Sequence, residues 1–175
     1  GSQQGGRNSW LTSPTTIVGG SVTVTQKVDI APTASHLRLV ARTGDVTVGA
    51  AINETATERN PWVRLEAAGA VTINAPVSST ATVTLLSGTT TTQAAAAPIA
   101  TAGLRVAAGG AVTLESKLNA FDTLAVSTTD DAVSIRENSG YWIGTVDGAS
   151  GVSVGKATAT LRSTGSVGQT AAGLV

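Results

Sequence analysis

The chain has 175 residues, no net charge at pH 7, no cysteine, and 41% apolar but only 3% aromatic residues. That excludes disulfides and thiolate chemistry, leaves phosphate neutralisation without a source and so disfavours a nucleic-acid partner, and provides no run of about 18 apolar residues for a membrane span. The 28 Ala, 28 Thr and 20 Gly imply a lean core of small and β-branched side chains, which suits thin, repetitive β structure.

The chain contains no Met, so Gly1-Ser2 reads as a cloning scar and the whole as an excised or processed piece of something longer. Residues 1–19 read as an irregular lead or partial cap, in which Trp10 is expected to cover the first coil. Residues 20–175 carry the repeat. Apolar-x-apolar triplets recur at Leu37–Leu39, Val63–Leu65, Val83–Leu85, Leu104–Val106, Leu124–Val126, Tyr141–Ile143 and Ala159–Leu161. A second triplet follows most of these: Val46–Val48, Val71–Ile73, Val112–Leu114, Val133–Ile135 and Val152–Val154, with Val22–Val24 of the same type before them. Alternation with period two predicts strands, and two strands per repeat predict a solenoid coil. Single apolar points at Ile52, Val77, Ile99 and Leu118 supply a third face. The expected fold is all-β: a single-stranded, right-handed parallel β-helix of about 20 residues per coil and roughly seven to eight coils. Corner pairs such as Thr43-Gly44, Ala68-Gly69, Ser87-Gly88, Gly109-Gly110 and Thr164-Gly165 are expected to need positive φ, with Asp130-Asp131 replacing a glycine pair. Thr91 is expected in an inward slot, where its hydroxyl needs a partner, so that its coil is locally weakest. The stretch 53–62 is too long for a turn and should bulge as a loop.

The phrases "LRLVARTGDVTVGAAI", "VRLEAAGAVTINAPV", "TQAAAAPIATAGLRVAAGGAVTL", "DTLAVSTTDDAVSIRENSGYWIGTV" and "GSVGQTAAGLV" resemble the repeats of filamentous-haemagglutinin-like exoproteins, the large bacterial adhesins of two-partner secretion. The resemblance runs from about Gly20 to Val175. It implies a secreted or cell-surface rod that presents binding regions for cell adhesion, aggregation or biofilm formation. It also implies a parent chain exported by an outer-membrane transporter partner. The Asn-rich motifs of the family's secretion domain find no match here, and the family has no common catalytic residues to carry over.

Site candidates follow from the strand phase. Asp122, Asp130, Asp131, Glu115, Arg105 and Arg136 are the candidates for a converging catalytic set. The neighbours Asp130 and Asp131 point apart in extended chain, and Glu115, Arg136 and Glu137 read as a surface charge ladder, so no enzyme is expected. His36, the sole histidine, stands without a second His or Cys for a metal or triad; no metal or cofactor is expected. Thr47, Thr72, Thr113 and Ser134, with Thr23 before them, form an outward ladder of the kind that can order water or bind ice, although strand propensity alone predicts outward hydroxyls. Trp142 and Trp62 fall in the outward phase, and the loop before Trp62 carries Glu54, Glu58 and Arg59. These are the candidate contacts for a host or bacterial surface glycan or protein. A cluster of Trp and carboxylates on one face would favour a carbohydrate-binding or carbohydrate-active β-helix over a plain shaft. The Thr and Ala runs at 89–97 leave an engineered solenoid scaffold as a further reading. Unpaired strand edges at the coil ends favour weak end-to-end self-association.

Overall fold

A computed structural model describes residues 9–31, 34, 36–54 and 61–171. The described chain is all strand and turn: parallel strands stack as a β-solenoid of about 7 turns with about 22 residues per turn. Each regular turn has three faces. The first face is built by Thr15–Gly19, His36–Ala41, Trp62–Ala67, Thr82–Ser87 and the later halves of Ile99–Ala108 and Ala120–Thr128. The second is an unbroken stack of seven short strands: Val22–Val24, Val46–Val48, Val71–Ile73, Thr91–Gln93, Val112–Leu114, Val133–Glu137 and Ala159–Ser163. The third runs through Ser9–Leu11, Val28–Ile30, Ile52–Glu54, Val77–Ser78 and the beginnings of the two long strands. Pairing thus begins before residue 20, because Ser9–Leu11 and Thr15–Gly19 are already in the sheet.

Alternation places the apolar residues inward, and parallel in-register pairing stacks like on like. Val46, Val71, Thr91, Val112 and Val133 form one buried column; Leu39, Leu65, Leu85 and Val106 form another. Each rung buries its neighbours, so no coil is stable alone. Thr91 does occupy the inward slot and is fully buried; its hydroxyl meets the Ser87 Oγ at 2.8 Å.

The corners differ from expectation in cause. Among the described residues, positive φ occurs at Gly140, Gly148, Gly151, Gly155 and Asp147, not at the corner glycines or at Asp130-Asp131. Gly88, Gly109 and Gly165 instead answer a close approach of backbones, whereas Gly44 and Gly69 sit against the Ser21 and Asp45 side chains. A Cβ at Gly88 would overlap the Ala68 carbonyl, and one at Gly109 the Gly88 carbonyl. Coil stacks on coil with no space for a side chain.

The third face also corrects a sequence assignment. Leu118 is 61% exposed, and Asn119, fully buried, continues the fold in its place. Asn119 Oδ1 accepts from the Ile99 amide (2.9 Å) and from Gln93 Nε2 (2.6 Å). Its Nδ2 donates to Gln93 Oε1 and to the Arg136 carbonyl, both at 3.0 Å. A side-chain amide satisfied on both ends can sit in a core that an isolated polar group could not enter.

The last coils shift phase. Tyr141–Ile143 pairs with the first face through Thr123↔Trp142 and Leu124↔Ile143. The chain then leaves the sheet at Gly144, makes an antiparallel hairpin of Thr145–Val146 and Ala149–Ser150, and returns at Gly151, whose amide donates to the Gly144 carbonyl at 3.0 Å. Val152–Ser153 resumes the same first-face strand opposite Val126 and Ser127. Consequently Val152–Val154 is not a second-face triplet and Ala159–Leu161 is not a first-face one. Ala159–Leu161 pairs with Val133–Ile135 on the second face.

Candidate functional site

The outward positions of the first face form columns. The first holds His36, Trp62, Thr82, Gly103, Thr123, Trp142 and Gly168 in continuous register. Both candidate tryptophans therefore stand in one file, with three coils between them. Trp142 is 55% exposed, and its ring lies over Gly168, where a Cβ would stand 2.5 Å from it. Trp62 is half-buried. Its ring stacks on the His36 imidazole with centroids 4.2 Å apart and planes 5° apart, so His36 serves as an aromatic support.

Between the tryptophans lies the hairpin, folded back over earlier coils. Its turn is Asp147-Gly148, with φ of 47° and 78°; two successive positive-φ residues suit the tight turn that matches strand twist, and Asp-Gly is a favoured pair there. Val146 is buried against Gly103, where a Cβ would stand 3.0 Å from a Val146 methyl. Gly103 is thus the hollow in the column that admits the hairpin.

The second outward column anchors the hairpin tip. Arg38 makes a bidentate pair with Glu66, at 2.8 Å for both bonds. Arg64 Nε reaches the same Glu66 Oε1 at 2.5 Å, and Arg64 Nη1 reaches Asp147 Oδ2 at 3.1 Å. Thr84 Oγ1 donates to Asp147 Oδ2 at 3.0 Å, and Arg105 Nη1 donates to the Asp147 carbonyl at 2.7 Å. Hydrogen bonding from Arg38, with help from Arg64, holds the Glu66 carboxyl below its ordinary value despite partial burial. Trp62, Arg64, Thr82, Thr84 and Asp147 together enclose a cavity of about 310 Å³.

The remaining candidates are dispersed. Glu54 is not in a surface loop: it ends the strand Ile52–Glu54, is buried, and accepts from Ser79 Oγ (3.1 Å) and the Thr80 amide (3.0 Å). Glu58 and Arg59 lie outside the described residues, as does the side chain of Trp10. Glu137 does not belong to a surface ladder either; it is fully buried. Burial pushes its carboxyl up, but bonds from Ser139 Oγ, the Gly140 and Ser139 amides and Ser163 Oγ outweigh it and leave the group below its ordinary value. The Tyr141 phenol is pushed up to about 12 by burial and by the Glu137 charge, and its hydroxyl is buried without a partner among the described residues. Glu115 accepts from Ser134 Oγ and from Arg162 at 3.1 Å. Asp130 accepts from the Lys156 amide at 2.9 Å, while Asp122 is exposed. Arg136 pairs in register with Arg162. Among the described residues no group of three or more His, Cys, Asp or Glu is placed to hold a metal, and no helix is long and apolar enough to cross a membrane.

The hydroxyl ladder is longer than its sequence signature. Thr23, Thr47, Thr72, Thr92, Thr113, Ser134 and Thr160 are paired in unbroken register along the second face. Thr92 escapes a search for apolar-Thr-apolar because Thr91 stands where an aliphatic residue is expected, and Thr160 is missed because its triplet Ala159–Leu161 is expected on the first face but pairs on the second. The ladder is one residue wide.

Sequence-based reading missed the hairpin, and with it Asp147 as a site residue. The signal was present in part: Asp147-Gly148, a favoured hairpin-turn pair, directly after the β-prone Thr145-Val146. Comparison with protein-family models, curated proteins and solved structures gives no match in any of the three.

Proposed function

We propose that this chain is a shaft segment of a large, secreted bacterial adhesin-like exoprotein, working by extension and surface presentation in cell adhesion or aggregation. The observation that carries the reading is the second face: seven parallel strands in unbroken register. Such a stack lengthens by about 4.8 Å per coil without altering its surface, so about 7 turns span roughly 34 Å and further coils would extend the same prism. The sequence resemblance to filamentous-haemagglutinin-like repeats supports the secreted setting and a transporter partner for the parent chain. Edge strands such as Thr15–Gly19, which among the described residues pairs only with His36–Ala41 and leaves Ile17 and Val18 exposed, support end-to-end contact between copies.

The reading is tested by displaying the chain on a non-adherent bacterium through an outer-membrane anchor. Surface exposure to added protease, with increased adhesion through an adhesive tip fused to its far end relative to the same tip on the anchor alone, is the expected result. A displayed, folded chain that leaves the tip no more effective than the anchor alone does counts against it.

A further inference from the structure

We propose that the cavity between Trp62 and the hairpin tip is a binding site for a neutral pyranose sugar. This inference goes beyond the shaft reading and does not depend on it. Three features converge. The first is an aromatic platform open on one side. His36 covers one face of the Trp62 ring, whereas the cavity is lined by Trp62 and Thr82, its neighbour in the next coil, and not by His36. The open face of the indole therefore looks across the small Thr82 side chain, leaving the space where a larger residue would continue the stack. A rigid, supported ring is the surface on which the apolar face of a pyranose packs.

The second feature is the polar rim. Arg64 and Asp147 line the cavity and are held by partners outside it: Arg64 by Glu66, and Asp147 by Arg105. They are already paired with each other at 3.1 Å, so the lining carries no net charge and offers a neutral ligand both donors and an acceptor. The Asp147 bonds to Arg64, Thr84 and Arg105 all use Oδ2 or the main-chain carbonyl, which leaves Oδ1 for a ligand hydroxyl. A fixed guanidinium and a fixed carboxylate side by side match the alternating donor and acceptor demands of vicinal hydroxyls.

The third feature is size and construction. About 310 Å³ lies at the small end of ligand pockets, roughly 300–1,000 Å³, and fits one ring or two. One wall exists only because an eight-residue excursion from a distant coil folds over Gly103, the position whose missing Cβ admits Val146. Regular coils make no such wall.

The test is saturation-transfer NMR and tryptophan fluorescence on the full chain, with the methyl glycosides of glucose, galactose and mannose at millimolar concentration and glucuronate as the acidic probe. Saturable binding of at least one neutral glycoside is expected. It should weaken at least ten-fold in Trp62→Ala and in Thr82→Leu, which fills the slot, and stay unchanged in Lys117→Ala, at an exposed position outside the cavity. Asp147→Asn should weaken it less. If Trp62→Ala fails to fold by circular dichroism, Thr82→Leu carries the decision. No saturable binding by any neutral glycoside, binding of glucuronate alone, or binding indifferent to Thr82→Leu would each overturn the assignment.

Discussion

The second face and the first face are made by the same coils and have opposite characters. The second is uniform: three- to five-residue strands, one outward hydroxyl per strand, and an inward, mostly aliphatic column on either side of it. The first is individual: its strands are mostly longer, its outward columns hold His36, two tryptophans, three arginines and Glu66, and among the described residues it alone is interrupted by a hairpin. The difference teaches where a solenoid can vary. Inward columns and glycine corners are fixed by contact between successive coils, so they repeat; the outward positions of the longer strands are free to become a site.

The contrast can be broken most severely from within. Leu65→Ala removes a rung between Leu39 and Leu85, and a loss of about 2–5 kcal/mol in unfolding free energy is expected from denaturant titration. Glu137→Leu strands the four donors that its carboxylate satisfies and should cost about 3 kcal/mol. The pH dependence gives this prediction its sign. Because the folded carboxyl lies below 4.5, its contribution is present above that value and is lost as pH falls through the folded pKa. Thermal melts at decreasing pH should show an acid limb that is shallower in the variant.

A smaller effect is expected at the alkaline end. Tyr141 ionises near 10 when unfolded and at about 12 when folded. A raised pKa contributes stability below the unfolded value that is lost as pH rises from about 10 to about 12. Tyr141→Phe should abolish that decline, and since it also removes a buried hydroxyl without a partner, it should raise stability at neutral pH by about 1 kcal/mol. The smallest change is Thr91→Val, which restores an aliphatic rung between Val71 and Val112. Ser87 keeps a second acceptor in the Thr89 carbonyl at 3.3 Å, so a gain within about 1 kcal/mol is expected. A clear loss would show that the hydroxyl pair, and not the column, stabilises that coil.

The same contrast explains what could be read from the residues alone. Val63–Leu65 and Val71–Ile73 announce both strands of a coil because alternation and stacking act on every turn. Thr91 could be placed inward because the corner glycines on either side fix the phase. Leu118 misled because apolarity is a proxy for burial, and Asn119 is buried by saturating its amide instead. The glycine corners were placed correctly for the wrong reason: a chain shows that Gly is needed, not whether torsion or a neighbouring coil requires it. After Ile143 the period fails, because the excursion from Gly144 to Gly151 adds residues that belong to no coil and displaces every later triplet. The cavity was out of reach for the same reason. Trp62 and Asp147 are 85 positions apart, and only the fold-back of the hairpin brings the second to the first.

That fold-back also bears on how the molecule would yield to force. A regular stack pulled from its C-terminal end unspools one turn at a time, each turn resisting with only its own contacts. Here the hairpin that interrupts the Tyr141 turn is clasped to Arg64, Thr84 and Arg105, residues of three successive earlier turns. Peeling that strips Val167–Gln169 and Ala159–Ser163 stops at that clasp, and the turns it bridges yield together as a block.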